Sequence, residues 1–219
     1  MPMEVMEMDC LLPYDGDAFF KASLAEPMST IIGAHHANFH QTLGVYTHDM
    51  GARQGGAMAI LAGAGPMGLG HIDYALHGPR VPRLLVVTDI DQARLDRAAS
   101  IHKPADAAKL GVRLEYVNTR GMADPVAYLR GLTPAGKGFD DVFVLAPVAS
   151  VVEQADAIMA FDGCMNFFAG PTDSKFSAKL NFYEIHYGMR HLVGTSGGNT
   201  EDMREALRLM SAGKLNPAA

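Results

Sequence analysis

Three glycines, Gly63, Gly65 and Gly68, stand in the spacing G-x-G-x-x-G, and an acidic residue, Asp89, follows about twenty residues later. Glycines so spaced meet three separate needs. Gly63 permits a tight turn, Gly65 lets backbone come close to a ligand, and Gly68 lets a helix lie close to a strand. Pro66 suits the first turn of that helix, where its missing N–H costs nothing. The free N–H groups and the positive end of the helix dipole then form an anion site. Gly63, Gly65, Pro66, Met67 and Gly68 are therefore candidates to hold a pyrophosphate. A carboxylate at Asp89 can accept hydrogen bonds from both ribose hydroxyls of an adenosine and would repel a 2′-phosphate. Together these residues predict a dinucleotide site that prefers NAD to NADP. Asp89 could also simply end a strand, or cap the next helix together with Asp91.

Such a site requires a strand before the glycines and a helix after them. The apolar run Ala57–Ala62 reads as a buried strand, and Ile72, Ala75 and Leu76 recur at helical intervals beyond Gly68. Gly78-Pro79 stops that helix. Further strands are predicted at Arg83–Thr88, Val112–Val117, Phe139–Leu145, Cys164–Phe168 and His191–Thr195. Between them fall helices capped by Asp91, begun at Asp124-Pro125, and opened by a capping box at Ser150 and Glu153. A last helix starts near Thr200, with Met203, Ala206, Leu207 and Met210 as an inward stripe. This alternation predicts an α/β fold, a Rossmann doubly wound parallel six-stranded sheet with helices on both faces. Ligands of such sheets lie beyond the strand carboxyl ends, so Ala146-Pro147 and Ala169-Gly170 are expected on the same rim, flanking a nicotinamide. Ordinary strand-ending turns explain those four residues equally well.

Ahead of the glycines, residues 1–25 read as irregular. A helix is expected from near Pro27 through TIIGAHHANFHQTLGVYT, followed by a loop over Thr47–Gly56. His36 and His40 would then share one helical face, a spacing that metal sites use, but no glutamate completes an H-E-x-x-H set. His35, His36 and His40 are accordingly read as partly exposed helix positions.

Composition narrows the function classes. Hydrophobic residues at 48% and charged ones at 19% describe a folded globule. A net charge of −6 without a basic cluster argues against nucleic acid, and no apolar run is long enough for a membrane span. The acidic start MPMEVMEMDC is unlike a secretory leader, and the expected location is cytoplasmic. Cys10 and Cys164 offer neither a disulfide framework nor a four-cysteine zinc site.

Glu26-Pro27-Met28-Ser29, a long helix, Gly55-Gly56-Ala57-Met58-Ala59-Ile60 and Gly63-Ala64-Gly65-Pro66-Met67-Gly68 together resemble zinc-type medium-chain dehydrogenases/reductases. Val87-Thr88-Asp89 with Arg94-Leu95 is similar to their sorbitol dehydrogenase branch. The long insert between His40 and Gly55, with Phe182–Tyr187, is similar to L-sorbose-1-phosphate reductase-like proteins. The resemblance implies reversible hydride transfer between NAD(H) and a polyol, a ketose or their phosphates, with zinc as Lewis acid in the full-length enzyme. It adds Arg94 to the cofactor-binding candidates and makes Glu26 the one candidate for a catalytic or metal-side role. It also implies a homo-oligomer paired through edge strands, here His191–Thr195 with Leu180–Tyr187.

The family's cysteine and His-Glu zinc ligands have no counterpart in this sequence. The expected organisation is a remnant over 1–55 leading from a catalytic domain, an NAD-binding domain over 56–198, and a C-terminal helix over 199–219 leading back. Such a segment should bind NAD(H) without turning over polyols by itself, with zinc absent from it. Two other classes compete: a non-enzymatic NAD(H)-sensing module, and an S-adenosylmethionine-dependent methyltransferase. The tight glycine spacing and the sixth strand argue against the latter.

Overall fold

Apolar runs too short for helices pair into one parallel sheet, and their side chains alternate between its two faces. The computed structural model describes residues 3–8, 10–16 and 19–218. Readings that touch Met1, Pro2, Asp9, Asp17, Ala18 or Ala219 lie outside these residues. In chain order the helices α1 (Met3–Glu7), α2 (Phe19–Ala22) and α3 (Ala25–Ala37) precede a small hairpin, β1 (Phe39–His40) and β2 (Asp49–Met50). Then come β3 (Ala57–Leu61), α4 (Pro66–His77), β4 (Leu84–Asp89), α5 (Gln92–Ile101), α6 (Pro104–Lys109) and β5 (Arg113–Asn118). The second half runs α7 (Pro125–Leu132), β6 (Phe139–Val144), α8 (Ala149–Ile158), β7 (Met159–Phe167), α9 (Phe182–Tyr187), β8 (His191–Gly194) and α10 (Thr200–Ser211).

The six long strands form one sheet in the order β5-β4-β3-β6-β7-β8, with every pairing parallel. This is the expected doubly wound sheet, and its strand order reverses between β3 and β6. Met58, Ile60, Leu85, Val87 and Phe143 point to the face covered by α4, α5 and α6, through Leu69, Ile72, Leu95, Ala98 and Ala107. Ala57, Ala59, Leu61, Val142 and Val144 point to the other face, where Leu129 of α7 and Val152, Ala155 and Ile158 of α8 meet them. The period of two along each strand thus fills both cores. A third cluster joins α3 to α10 through Met28, Ile31, Ile32, Ala206, Leu207 and Met210, which bears out the inward stripe on the last helix except at Met203, which is only partly buried and lies outside the cluster.

Several local expectations are corrected. The helix begun in the Glu-Pro segment ends at Ala37, because Asn38 is extended, and His40 lies in β1 opposite Asp49. His36 and His40 therefore share no helical face. The described residues of 1–25 include the short helices α1 and α2, and β2 interrupts the loop expected over Thr47–Gly56. The capping box at Ser150 and Glu153 does not form: α8 starts at Ala149 after Val148, and Glu153 accepts the Lys179 N–H instead, at 3.2 Å. The fifth strand starts at Met159, directly after α8, five residues before the expected Cys164. Asp91 and Asp124 do cap α5 and α7, accepting N–H groups three residues on. Among the described residues no helix is long and apolar enough to cross a membrane.

Charge is concentrated at the amino ends of β6 and β7. Asp141, 1% exposed, accepts from Asn38 Nδ2 at 2.7 Å, His40 Nε2 at 3.2 Å and the Arg53 N–H at 2.8 Å. Asp162 accepts from His191 Nε2 at 2.7 Å, the Gln41 N–H and the Arg53 guanidinium, and its own carbonyl takes His40 Nδ1 at 2.9 Å. Asp162 holds φ +57, a left-handed conformation that bonds from three separate segments, at His40-Gln41, Arg53 and His191, fix in place. An acceptor faces each nitrogen of His40, an arrangement that favours its protonated form. Its burial opposes that charge, but the Asp141 carboxylate and the Asp162 carbonyl more than offset it, and its pKa is raised.

Under α4 the reverse holds. His35 Nε2 and His71 Nδ1 share a hydrogen bond of 3.1 Å beside Phe143 and Phe168, and burial pushes His71 down to about 3. Burial, with the neighbouring His71 and His36, also lowers His35.

These opposed shifts set the pH dependence of stability. Below the unfolded value near 6.5 the unfolded chain protonates His35 and His71 while the native one resists, so stability falls as pH drops from about 6.5 toward 3. The His40 contribution is complete below about 6.5 and is lost as pH rises through its raised folded value. Thermal midpoints from pH 4.5 to 9 should therefore peak near neutrality. His40→Gln should lower the midpoint and flatten the alkaline limb; an unchanged alkaline limb would contradict this assignment.

Candidate functional site

The site begins where β3 ends. Gly63 follows Ala62, which has φ +55, and donates to the Thr88 carbonyl at 2.8 Å, tying the turn to β4. A Cβ on Gly63 would meet Ile60 Cγ2 at 2.5 Å, and one on Gly68 would sit 1.9 Å from the Gly63 carbonyl oxygen. Gly63 accepts no side chain because the turn folds back on Ile60 of β3, and Gly68 accepts none because α4 packs directly on the turn. Gly65, the residue before α4, differs: its Cβ would meet nothing within 4 Å. Open space thus faces the first turn of α4, where Pro66 needs no acceptor and Met67 and Gly68 lack a carbonyl four residues back within the helix. The arrangement suits an anion.

Asp89 ends β4, is 7% exposed, and accepts three backbone N–H groups. Oδ1 takes Ile90 at 2.8 Å and Asp91 at 3.0 Å, and Oδ2 takes Ala64, inside the glycine turn, at 3.2 Å. The carboxylate therefore holds the two turns together. A carboxylate offers about four acceptor positions, which leaves Oδ2 room for one further donor rather than the pair expected. Beyond it Ile90 is 58% exposed, and Arg94 projects from α5 with its Nε 3.9 Å from Asp91 Oδ2.

Parallel register brings the other candidates to the same edge. Val144 is level with Leu61 and Phe167, and Phe167 with Gly194, so β3, β6, β7 and β8 end together. Ala169 and Gly170 follow β7 and line a crevice of about 540 Å³ with Met67, Phe168, Thr195 and Thr30. Ala146 and Pro147 follow β6 on the same rim but are not among the crevice-lining residues; Val148 donates to the Ala146 carbonyl at 2.8 Å to close that turn. Glu26 is exposed in the first turn of α3, one helical turn before Thr30. Thr30 and Thr195 escaped the sequence reading, although Gly194-Thr195-Ser196-Gly197 at a strand end carries a turn signal that could have found the latter.

Metal-ligating side chains do not converge. Among the described residues no group of three or more His, Cys, Asp or Glu could hold a metal ion. His35 is spent on His71, and His40 on Asp141 and Asp162.

Comparison with known proteins agrees with this geometry. The model of the zinc-binding dehydrogenase family matches residues 84–212, more than half of the chain. Mannitol-1-phosphate 5-dehydrogenase of Aliivibrio fischeri is 55% identical over 218 residues, covering 100% of this chain and 51% of the relative. L-sorbose 1-phosphate reductase of Klebsiella pneumoniae is 49% identical over 219 residues, covering 100% of this chain and 52% of the relative. The chain spans about half the length of the curated relatives it matches. Among solved structures, 2R,3R-butanediol dehydrogenase from Bacillus subtilis superposes with a TM-score of 0.70 at 20% identity, over 94% of this chain and 50% of that one, which shows the shared fold. The resemblance carried by the Glu-Pro segment and the glycine turn is thus borne out, and the chain belongs to the zinc-binding dehydrogenase family.

Proposed function

We propose that this chain is the NAD(H)-binding part of an oxidoreductase that moves hydride between a nicotinamide and a polyol or ketose, free or phosphorylated. The observation that carries the reading is the open space at Gly65, set between the first turn of α4 and the Asp89 carboxylate. The curated relatives, named for sugar-phosphate dehydrogenation and reduction, supply the substrate class. In this reading residues 56–198 form the dinucleotide unit, and 1–55 and 199–219 join it to a catalytic unit. A cytoplasmic setting fits two free cysteines, of which Cys164 is buried with its thiol pushed up to about 12 by that burial.

Each residue then has a physical task. The N–H groups and dipole of α4 neutralise the pyrophosphate, with Gly63, Pro66, Met67 and Gly68 shaping the cradle around Gly65. Asp89 Oδ2 accepts from an adenosine ribose hydroxyl, and its charge disfavours a 2′-phosphate, so NAD is preferred to NADP. Arg94 lies at the adenosine end. Ala146, Pro147, Ala169 and Gly170 leave room for the flat nicotinamide and shield it from water on one side. When bound, the nicotinamide supplies the hydride chemistry. Zinc characterises the family, but the described residues make no metal centre by themselves and none of these tasks runs through one. Glu26 is this chain's candidate contribution near such a centre. The exposed edge at β8, with Leu192 45% exposed, is the surface through which two copies would pair, together with Phe182 and Tyr183, which are exposed on the preceding helix α9.

Calorimetry with NADH, NADPH and S-adenosylmethionine tests the cofactor. NADH should bind best; equal affinity for NADH and NADPH would sink the Asp89 role, and no NADH binding at millimolar concentration would sink the reading. Asp89→Ser with Ile90→Arg should cost NADH binding about 1–3 kcal/mol, roughly 5- to 150-fold, while improving NADPH.

The glycines give a second, independent expectation. Gly65→Ala should leave the melting temperature nearly unchanged yet weaken NADH binding, because its Cβ enters only the cradle. Gly68→Ala should destabilise the fold by about 1–3 kcal/mol, since α4 must move off the turn. The reverse ranking would mean that α4 does not seat as described.

Association is tested by light scattering at high concentration. The chain should form dimers, and Leu192→Lys, which places a charge on the unpaired edge, should shift it toward monomer. A strictly monomeric wild-type chain would refute pairing through β8.

A further inference from the structure

A polar pocket of about 340 Å³ opens at the end of the sheet opposite the crevice, lined by Arg130, Asp156, Ala157, Asn181, Glu184 and Arg190. It lies where α7 and α8 end and α9 begins, beside Met159, the first residue of β7. The last carbonyls of α8 orient both arginines. Arg130 Nη1 donates to Ala157 at 3.3 Å and Met159 at 3.2 Å, and Arg190 donates to the Asp156 carbonyl at 2.8 Å and to Met159 at 3.1 Å. A helix C-terminus favours cations, so this much is structural. Much bonding capacity is left over. Arg190 is shared by two carboxylates, with Asp156 Oδ1 at 3.5 Å and Glu184 Oε2 at 3.1 Å. Arg130 has no carboxylate partner among the described residues, and its Nε and Nη2 make no hydrogen bond. Asp156 Oδ1 and Arg190 Nε, both buried, have no hydrogen-bond partner either. An orphaned acceptor and an orphaned donor in one wall call for a group that bonds in both senses, as a hydroxyl does.

Two arginines against two carboxylates leave the pocket formally neutral, but its charge is divided. The unpaired cation stands on α7, and Glu184, with its side chain 42% exposed, presents a carboxylate on α9. A bare anion on Arg130 would also meet the Glu184 charge, and a neutral polyol would leave Arg130 unanswered. We propose that this pocket is a second binding site, for a polyol or sugar phosphate, with the phosphate on Arg130 and hydroxyls on Glu184 and Asp156. A guanidinium matches phosphate oxygens in pairs, and each carboxylate accepts from hydroxyls. The site is separate from the crevice, because β7 begins beside the pocket and ends at Phe167 on the crevice wall. It does not depend on the cofactor reading.

The test is a calorimetric titration of the full 219-residue chain with sorbitol 6-phosphate, inorganic phosphate and sorbitol, without dinucleotide. The ester should bind most tightly, inorganic phosphate about 5-fold or more weakly, and sorbitol without measurable heat. Arg130→Gln, checked for folding by its melting curve, should weaken ester binding about 10-fold, the loss of one charge-assisted pair. Glu184→Gln removes the repulsion and should tighten inorganic phosphate, a gain that a folding defect would not produce. Gly170→Trp fills the crevice from a position where a Cβ meets nothing within 4 Å, and should leave ester binding unchanged. Equal binding of ester and inorganic phosphate by the wild-type chain overturns the proposal, as does no ester binding at millimolar concentration. Ester binding that survives Arg130→Gln but is lost in Gly170→Trp places the ligand in the crevice and overturns it too. Arg130→Gln should leave NADH affinity unchanged, so failure of the cofactor reading is read separately.

Discussion

Among the described glycines, an added Cβ would be most crowded at Gly68, against Gly63. With 1.9 Å between a would-be Cβ and the Gly63 carbonyl, α4 can lie against the turn only if residue 68 has no side chain. That contact sets the axis of α4, and the axis sets what its first turn faces. Because the helix sits so low on β3, Gly65 is lifted clear of every neighbour, and the cradle opens beside it. Asp89 then bonds across to Ala64, so the second strand is locked to the same turn. Sheet register carries the constraint outward: β6, β7 and β8 end level with β3, and the crevice forms where they stop.

The opposite end of the sheet is built on the contrary principle. There the space beyond the strands is filled by charge, with Asp141 and Asp162 clasping His40, Arg53 and His191. Buried ionic groups are costly to desolvate and contribute little net stability when complete, but removing one partner leaves an uncompensated charge and is strongly destabilising. Their value to the structure lies in direction. The insert carrying β1 and β2 has few apolar contacts of its own, and its place is dictated by which groups can donate to which carboxylates.

Much of the fold was legible in the sequence because its signals are local. Strand, glycine turn and helix occupy consecutive residues, and each later strand is an apolar run bounded by a cap or a Gly-Pro stop. The failures have physical causes of the other kind. His40 sits in a sequence that reads as helix, yet the Asp141 carboxylate and the Asp162 carbonyl, each more than a hundred residues away, hold it in a strand. Ser150 and Glu153 have capping spacing, but the loop at Lys179 competes for the Glu153 carboxylate and the helix starts earlier. The start of β7 was missed because Asp162 and Gly163 break its apolar pattern, and Asp162 belongs there for its bonds rather than its hydropathy. In the site, the glycines and Asp89 were readable from spacing. Thr195 was not, since it bonds to Asn166 in β7, which leads on to Asn38 after α3 and Asp141 in β6, far away in the sequence.

The two ends of the sheet are therefore not independent designs. An apolar interior would pack β6 and β7 as well, but it would carry no polarity from one edge to the other. Asn38 and Asn166 are fully buried between the two cores, each with its amide turned by an acceptor-only neighbour. In such a chain the first group fixes the sense of all the others, because each amide has one accepting and one donating end. The acidic anchor at the charged end thus determines how both amides lie, although it touches only the first of them.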